Sequence, residues 1–339
     1  MGAAANSAFF SEPDYARTLA REFNMVEAEN AMKWTAIEPE PGVFSFASGD
    51  AVVQFAEAHQ MQVRGHNLLW NKNNPAWLSA GNFTPRQLRA IMKRHIQAEV
   101  SHYKGKVFAW DVVNEAFDDR GRLVDSIWYD QPGIGLAGQG TEYIAQAFRW
   151  AHQADPKTLL FYNDYAAEGL NAKSDAIYAM VRQFRRQGVP IDGVGLQMHI
   201  HNAHRDISTM AANMRRLARL GVQVQITEMD VGLATVHGVV QADSQELRNQ
   251  AEIYGSVASA CAVNPGCTAF QTWGFTDKHS WIPRFTKGRE GAALLLDANY
   301  QPKPAFRAVL NAFTRTAQQH PEIREERLQF EKRSTPEKP

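Results

Sequence analysis

The sequence contains no apolar run of about 18 residues, the length that a membrane-spanning helix needs. It also lacks net charge, because 36 lysine and arginine residues balance 36 aspartate and glutamate residues. Proteins that bind nucleic acid or an acidic membrane surface usually carry excess positive charge. We therefore expect no nucleic-acid partner and no membrane partner, and we expect the protein to be a monomer.

Cysteine is scarce, since only Cys261 and Cys267 occur. The residues between them, Ala-Val-Asn-Pro-Gly, include turn formers that can bring the two side chains close together. Composition alone leaves two alternatives open, a pair of free thiols or a disulfide. A disulfide would favour an oxidising compartment.

The start of the chain, 1–5, lacks the positive charge and the long apolar stretch of a signal peptide. Two locations are compatible with this start. In the first, the protein is secreted to the periplasm or the medium and its signal peptide has been removed. In the second, the protein is cytoplasmic. We expect the secreted alternative.

What the sequence does contain is a regular alternation of eight apolar strands with helices, and 44% hydrophobic residues are enough for a large core. Such alternation indicates a parallel sheet, and eight units at this length predict a single (β/α)8 TIM barrel. The predicted strands are 2–5, 24–28, 62–66, 107–113, 159–163, 193–198, 222–227 and 268–272. The predicted helices are 13–23, 49–60, 85–102, 140–154, 172–187, 208–220, 243–262 and 304–316.

Local signals support several helix ends. Thr84 and the following proline predict the start of the third helix, and Gly188 predicts the end of the fifth. Asp243 and Glu246 have the spacing of a capping box at the start of the seventh. No linker or repeat divides the chain, so 1–317 is predicted to be one catalytic domain. The charged, proline-containing remainder, 318–339, is predicted to be a mobile tail.

Polar and aromatic residues follow the predicted strands. In barrels of this class the catalytic residues lie at the C-terminal ends of the strands. A single glutamate at a strand end is more often a solvated or ion-paired residue, but a repeated pattern predicts a catalytic cleft. The residues at these ends are Glu29, Asn30, His66, Asn114, Glu115, Asn163, Asp164, Tyr165, Gln197, His199, Glu228, Asp230 and Trp273.

These motifs resemble those of glycoside hydrolase family 10, the barrel β-1,4-xylanases, over residues 2–313. The motifs that carry the resemblance are Glu29-Asn30-x-x-Lys33-Trp34, Arg64-Gly65-His66 with Trp70, Trp110-Asp111-Val112-Val113-Asn114-Glu115, Asn163-Asp164-Tyr165, Gln197-x-His199, Ile226-Thr227-Glu228-Met229-Asp230, and Trp273-Gly274-Phe275-Thr276-Asp277 with Ser280-Trp281. The resemblance also implies that Cys261 and Cys267 form a disulfide common in the family.

The resemblance implies an endo-1,4-β-xylanase that acts on xylan and xylo-oligosaccharides without a cofactor or a metal. Glu115 would be the general acid/base and Glu228 the nucleophile of a retaining double displacement, which requires two carboxyl groups about 5–5.5 Å apart. Asn114 would bind the sugar 2-hydroxyl. His199 would hydrogen-bond Glu228, with Asp230 fixing the imidazole and Gln197 supporting the same neighbourhood.

The resemblance also implies a sugar-binding set. Hydrogen-bonding groups for the two sugars on the non-reducing side would be Glu29, Asn30, Lys33 and His66, and the walls of that side would be Trp70, Trp273 and Trp281. Close tryptophan walls admit xylose and clash with the hydroxymethyl group of glucose. Tyr165 would be the platform for the first sugar on the leaving-group side.

The chain departs from the family pattern at two places. Asn71 and Asn73 replace the histidine and glutamine that usually follow the first tryptophan wall, near the expected pocket on the non-reducing side. The segment 130–138 is longer than the family norm and follows the strand that carries Glu115. We expect this loop to reshape the leaving-group side.

The sequence also allows three other interpretations. His199, His201 and His204 suggest a metal site, but the strand ends show no matching ligands. A sugar-binding barrel without catalysis is a second alternative, which the presence of both carboxylates disfavours. The third is the same mechanism on a cellulose or mixed-linkage glucan backbone, which a comparison of aryl β-xylobioside with aryl β-cellobioside would test.

Overall fold

A computed structural model describes residues 1–203, 207–236, 240 and 245–334, and in it eight parallel strands form a closed barrel. Consecutive strands pair in parallel, and the pairing of the last strand with the first closes the sheet. This confirms the predicted single (β/α)8 barrel. The strands are β1 (Gly2–Ala5), β2 (Met25–Ala28), β3 (Gln62–His66), β4 (Ala109–Asn114), β5 (Leu159–Asp164), β6 (Gly193–Leu196), β7 (Gln223–Val231) and β8 (Cys267–Thr272).

Helices follow the strands, and the first eight correspond to the predicted ones. They are α1 (Pro13–Glu22), α2 (Ala47–Ala58), α3 (Pro85–His102), α4 (Glu142–Ala154), α5 (Ala172–Gln187), α6 (Met210–Ala218), α7 (Gln245–Ala262), α8 (Pro304–Gln319) and α9 (Glu322–Ser334). Shorter elements in the loops are helices Trp34–Ile37, Ala76–Ser79 and Ile282–Phe285, 3-10 turns Ser7–Phe9 and Asp277–His279, and strands His199–Ile200, Leu233–Ala234 and Glu290–Gly291. No helix in the described ranges is long and apolar enough to cross a membrane.

The predicted helix signals have clear structural counterparts. Thr84 and Gln87 form a reciprocal capping box at the start of α3. Gly188 adopts the left-handed conformation, with a φ of 67°, and ends α5. The predicted box at the start of α7 includes Asp243, which lies outside the described residues; the helix begins at Gln245.

Some strand boundaries differ from the predicted ones for local reasons. The predicted strand 107–113 begins later, at Ala109, because the Val107 N–H donates to the Tyr103 carbonyl in the turn after α3. The predicted strand 222–227 continues to Val231, because its end pairs with the short strand His199–Ile200. This extension places Glu228 and Asp230 within the strand.

The segment after residue 317 contains a helix that the sequence analysis did not predict. In α9, Arg327 donates to the Ala262 carbonyl oxygen at 3.0 Å, so the helix contacts the end of α7. The segment carries mostly charged side chains and lacks an apolar stripe, so its sequence shows no amphipathic helix pattern. Its mobility stays a prediction.

The barrel interior contains a buried ionic network rather than apolar layers alone. Arg64 pairs with Asp111 and donates to the Gln225 amide oxygen at 2.6 Å, and all three side chains are buried. Glu27 lies beside them, and its burial, together with the charge of Asp111, raises its pKa well above the usual range. Burial and the charge of Asp111 therefore favour the neutral form of the Glu27 carboxyl, whereas the charge of Arg64 opposes this shift.

Candidate active site

The end of β4 carries Asn114 and Glu115 into the cleft. Successive side chains on a regular strand point to opposite faces, so two adjacent residues do not normally serve one site. Glu115 breaks this alternation with a φ of +56°, which is uncommon for a residue other than glycine and recurs at functional sites. As a result, both side chains reach Gln197, whose Nε2 donates to Asn114 Oδ1 at 3.1 Å and to Glu115 Oε1 at 3.2 Å.

Glu228 of β7 faces this pair from the other side of the barrel mouth. Asn163 Nδ2 donates to Glu228 Oε1 at 2.6 Å and to Asn114 Oδ1 at 2.9 Å. The two carboxylates are therefore joined through side-chain amides of Asn114 in β4, Asn163 in β5 and Gln197 just after β6. The sequence motif gives Asn163 no role by itself, although its position at a strand end is a signal for one.

A histidine and a carboxylate stand behind Glu228. His199 Nε2 lies 3.1 Å from Glu228 Oε2, and Nδ1 lies 2.9 Å from Asp230 Oδ2, which also accepts from Trp281 Nε1 at 2.8 Å. Burial opposes a charge on the imidazole, but the charges and hydrogen bonds of Asp230 and Glu228 outweigh it and raise the pKa of His199 well above its usual range. His199 is thus an imidazolium near neutral pH and donates to both carboxylates.

The outer oxygen of Glu115 has a different partner. Lys72 Nζ donates to Glu115 Oε2 at 2.6 Å, and it lies 5.0 Å from the centroid of the Tyr165 ring. The Lys72 side chain is 54% exposed, whereas the Glu115 side chain is 10% exposed. Lys72 is not among the predicted site residues and stands between Asn71 and Asn73, at which the chain departs from the family pattern.

A second group of polar residues follows β2. Lys33 Nζ donates to Asn30 Oδ1 at 2.9 Å, and Asn30 Nδ2 contacts Glu29 Oε1 at 3.2 Å. The Lys33 ammonium lies 5.3 Å from the Trp70 ring centroid and 5.4 Å from that of Trp273. Burial lowers the pKa of Lys33 and raises that of Glu29. These residues form a pocket of polar groups between two indole walls.

His66 connects this pocket to the barrel interior. Its Nδ1 lies 2.9 Å from Asp111 Oδ2, and its ring packs edge-on against Trp273 with the centroids 5.0 Å apart. His66, Glu27 and Glu228 offer potential metal-ligand atoms within 4.8 Å of one another. Glu228 and His66 are already hydrogen-bonded to protein groups, so the cluster is built into the polar network of the site.

Tyr165 lies at the end of β5, on the Glu115 side of the cleft. The buried Lys173 ammonium lies 3.5 Å from the centroid of its ring and 2.7 Å from Asp164 Oδ1. Burial raises the pKa of Asp164 to about 7, although Lys173 and Tyr162 oppose this shift. The tyrosine ring is therefore supported from beneath by a buried charged pair.

The histidines of the metal interpretation do not share one site in the part of the chain that the structure describes. Both ring nitrogens of His199 face carboxylates, whereas His201 Nδ1 lies 3.0 Å from Glu290 Oε2. His204 lies outside the described residues. His199 therefore contacts Glu228, whereas His201 contacts Glu290.

The two departures from the family pattern lie in the loop after β3. Asn71 lines a small cavity next to Glu115 and Trp128. Asn73 Oδ1 accepts from the Thr35 N–H at 3.1 Å and from its hydroxyl at 2.8 Å, so Asn73 anchors its loop. In the long loop 130–138, Ile134 is buried; the effect of this loop on the leaving-group side stays a prediction.

The predicted disulfide is present. Cys261 at the end of α7 and Cys267 at the start of β8 are bonded, with their Cα atoms 5.2 Å apart. The bridge closes the short connection into the last strand at the N-terminal end of the barrel. It therefore lies at the end opposite the cleft, where barrel residues contribute to stability.

A closed parallel barrel with two carboxylates and indole walls at its C-terminal face defines a glycoside hydrolase. A family model, glycosyl hydrolase family 10, matches residues 1–312. The chain is 42% identical over 312 residues to endo-1,4-beta-xylanase B of Thermotoga neapolitana, covering 91% of this chain and 87% of the relative. The chain belongs to glycosyl hydrolase family 10.

Other similarities cover a comparable part of the chain. An endo-1,4-beta-xylanase of Agaricus bisporus is 38% identical over 293 residues, covering 86% of this chain and 84% of that protein. The crystal structure of xylanase 10B from Thermotoga petrophila in complex with xylobiose superposes with a TM-score of 0.86 at 41% identity, covering 93% of this chain and 94% of that one. Both matches cover more than four fifths of this chain.

Proposed function

We propose that this family-10 enzyme is an endo-1,4-β-xylanase that hydrolyses internal β-1,4 bonds of xylan and xylo-oligosaccharides. The relatives named above as xylanases support this substrate class. Glu115 acts as general acid/base, and Glu228 is the nucleophile. The observation that carries the assignment is the amide bridge, in which Asn163 and Gln197 fix the two carboxylates on opposite sides of one cleft.

The reaction proceeds in two displacements. In the first, a Glu228 oxygen attacks the anomeric carbon while protonated Glu115 gives its proton to the departing glycosidic oxygen, and a glycosyl ester forms. In the second, the Glu115 carboxylate takes a proton from water, whose oxygen attacks the same carbon and releases Glu228. Two inversions at one carbon restore the original β configuration.

The neighbours of the two carboxylates suit these roles. The His199 imidazolium donates to Glu228 and favours its ionised, attacking form, and Asp230 holds the imidazole in position. Asn114 lies beside both carboxylates and binds the sugar 2-hydroxyl, a contact that strengthens in the transition state of glycoside hydrolysis. Gln197 orients Glu115 through its 3.2 Å hydrogen bond.

The pocket after β2 binds the sugars on the non-reducing side. Glu29, Asn30, Lys33 and His66 provide the hydrogen bonds, and the walls are Trp70, Trp273 and Trp281. Close indole walls exclude a hydroxymethyl group and favour xylose over glucose. On the other side of the scissile bond, Tyr165 is the platform for the first leaving sugar.

We also infer that the protein acts as a secreted monomer. The disulfide supports an oxidising compartment, because such bonds are rarely maintained in the reducing cytoplasm. The balance of charges gives no electrostatic support for a nucleic-acid partner. Analytical ultracentrifugation of the purified protein measures the oligomeric state directly, and a dimer would contradict the monomer.

The experiment that tests the function is proton NMR of the products first released from xylan or a xylo-oligosaccharide. We expect β-anomers to appear first and to mutarotate afterwards. An initial α-anomer would overturn the retaining assignment, and an absence of hydrolysis would overturn the activity. Aryl β-xylobioside should be hydrolysed faster than aryl β-cellobioside, and the reverse preference would overturn the xylanase assignment.

A further inference from the structure

Lys72 occupies a position that the proposed mechanism does not use. It lies in the loop after β3, and its ammonium donates to Glu115 Oε2 at 2.6 Å. Partial burial opposes the charge, but the hydrogen bond to Glu115 and the charge of that carboxylate outweigh it and raise the pKa of Lys72. The lysine therefore stays charged throughout the pH range in which glycoside hydrolases work.

The loop on either side of Lys72 is anchored. Asn73 accepts two hydrogen bonds from Thr35, and Asn74 accepts from Trp128 Nε1 at 3.2 Å. Asn74 Nδ2 also donates to the Asn71 carbonyl oxygen at 3.0 Å. The backbone is thus fixed at both sides while the lysine side chain remains half-exposed, so the loop presents the ammonium to Glu115.

Other groups around Glu115 are already engaged. Asp164 is paired with the buried Lys173. On the opposite side, Lys33 is hydrogen-bonded to Asn30. In the described ranges, the cation that hydrogen-bonds the Glu115 carboxylate is Lys72, and the Asn114 and Gln197 amides also contact this carboxylate. Asn71, Ser126 and Tyr143 line a small cavity beside Glu115, and Tyr165 faces the Lys72 ammonium. The second carboxylate of the site, Glu228, is joined to Asn114 through Asn163.

We propose that Lys72 is a positioning residue that favours the carboxylate of Glu115 over its acid and thereby sets the pH range of each half-reaction. The inference rests on the proposed role of Glu115 as acid/base. An ammonium beside a carboxylate stabilises the carboxylate over the acid. The first displacement needs the acid form of Glu115, so Lys72 opposes this step at high pH. The second displacement needs the carboxylate form, so Lys72 supports that step at low pH.

The proposal predicts that two pH limits move together in Lys72→Met. For kcat/KM on an unsubstituted xylo-oligosaccharide, which reports the first displacement, the high-pH limit should rise by about one pH unit. For kcat on an aryl β-xylobioside with a good leaving group, which reports the second displacement, the low-pH limit should rise by a similar amount. A merely structural role would lower both rates without moving either limit.

Salt and matched variants sharpen the test. Lys72 is 54% exposed, so added salt should screen it and shift the wild-type limits in the same direction, with a smaller shift in Lys72→Met. Lys72→Arg should keep the wild-type limits. The control is Lys106→Met, since Lys106 is 52% exposed, pairs with Glu57 and precedes β4 at the opposite end of the barrel; its profiles should match the wild type.

The outcomes separate this inference from the proposed function. Profiles of Lys72→Met and Lys72→Gln that coincide with the wild-type profile, in folded protein with a native circular dichroism spectrum, would overturn the role of Lys72. The role of Glu115 is tested independently by azide rescue of Glu115→Ala. If azide does not rescue that variant, the acid/base assignment fails, and the inference fails with it.

Discussion

The two carboxylates of the cleft are held in contrasting ways. Glu228 lies within β7 and is bonded to Asn163 and His199. Glu115 lies just beyond β4, with a strained backbone, and shares its outer oxygen with the half-exposed Lys72. Glu228 is thus held by groups at the barrel mouth, whereas Glu115 has a further partner on a solvent-facing loop.

This difference matches what each group does in the proposed mechanism. The nucleophile attacks as a carboxylate and leaves as a carboxylate, so an imidazolium beside it is an advantage. The acid/base loses and regains a proton in every cycle, so its partner must release it. A flexible lysine side chain in contact with water releases a carboxylate more easily than a buried, doubly bonded imidazolium does. The variants below test this contrast, in order of decreasing effect.

The largest losses of activity should come from replacing the two carboxylates themselves, and the losses should differ between them. Glu228→Ala removes the nucleophile and should lower kcat on every substrate, on the order of 10⁵-fold. Glu115→Ala removes only proton transfer, and should lower kcat/KM on xylan on the order of 10³-fold while sparing the first displacement of aryl substrates with good leaving groups. Steady-state and burst kinetics on xylan and on aryl β-xylobioside measure both.

Azide separates the roles further. In Glu115→Ala the second displacement should be slow, and azide should accelerate it and give a β-glycosyl azide, because an anionic nucleophile needs no general base. In Glu228→Ala azide attack on the substrate would instead give the α-azide. A β-azide from Glu228→Ala, or no rescue of Glu115→Ala, would contradict the assignment of the two carboxylates.

His199→Asn tests the fixed side of the contrast. The variant removes the imidazolium, so Glu228 should lose its orientation and kcat/KM on xylan should fall about 100-fold.

Because the pKa of His199 is raised on folding, its contribution to stability is complete below the unfolded value near pH 6.5 and is lost as pH rises through the higher folded value. The difference in melting temperature between wild type and variant should therefore shrink from pH 6 upward, roughly over the range in which the imidazole deprotonates. A constant difference would contradict a charged His199, and Lys106→Met provides a control that should show no such trend.

The sequence was sufficient to predict the barrel and the convergence of its strand ends. Parallel strands end at one face, so a list of polar strand ends already places Glu115, Glu228 and His199 together. The closed sheet confirms this architecture. The sequence could not show which oxygen each neighbour bonds, since those contacts join residues with no shared periodicity.

Asn163 and Lys72 illustrate the limit. The Asn163 amide bridges side chains 49 and 65 residues away, and Lys72 reaches across 43 residues to Glu115. The sequence motifs likewise predict no ion pair between Arg64 and Asp111. Two charged residues in otherwise apolar strands are nevertheless a signal for a buried pair. Helix α9 is not predicted by the sequence, because charged side chains lie on all of its faces and leave no apolar stripe.

The smallest effect should come from the end of the barrel opposite the cleft. Replacing Cys261 and Cys267 together by alanine removes a disulfide that closes a short loop, and should lower the free energy of unfolding by about 2 kcal/mol because the unfolded chain gains entropy. Urea denaturation of the double variant, with reduced wild type as the comparison, measures this. Both pH limits of activity should stay at their wild-type values, since the bridge contacts neither carboxylate environment. A shift of either limit would show that the two ends of the barrel are coupled, and would weaken the conclusion that local partners alone distinguish Glu115 from Glu228.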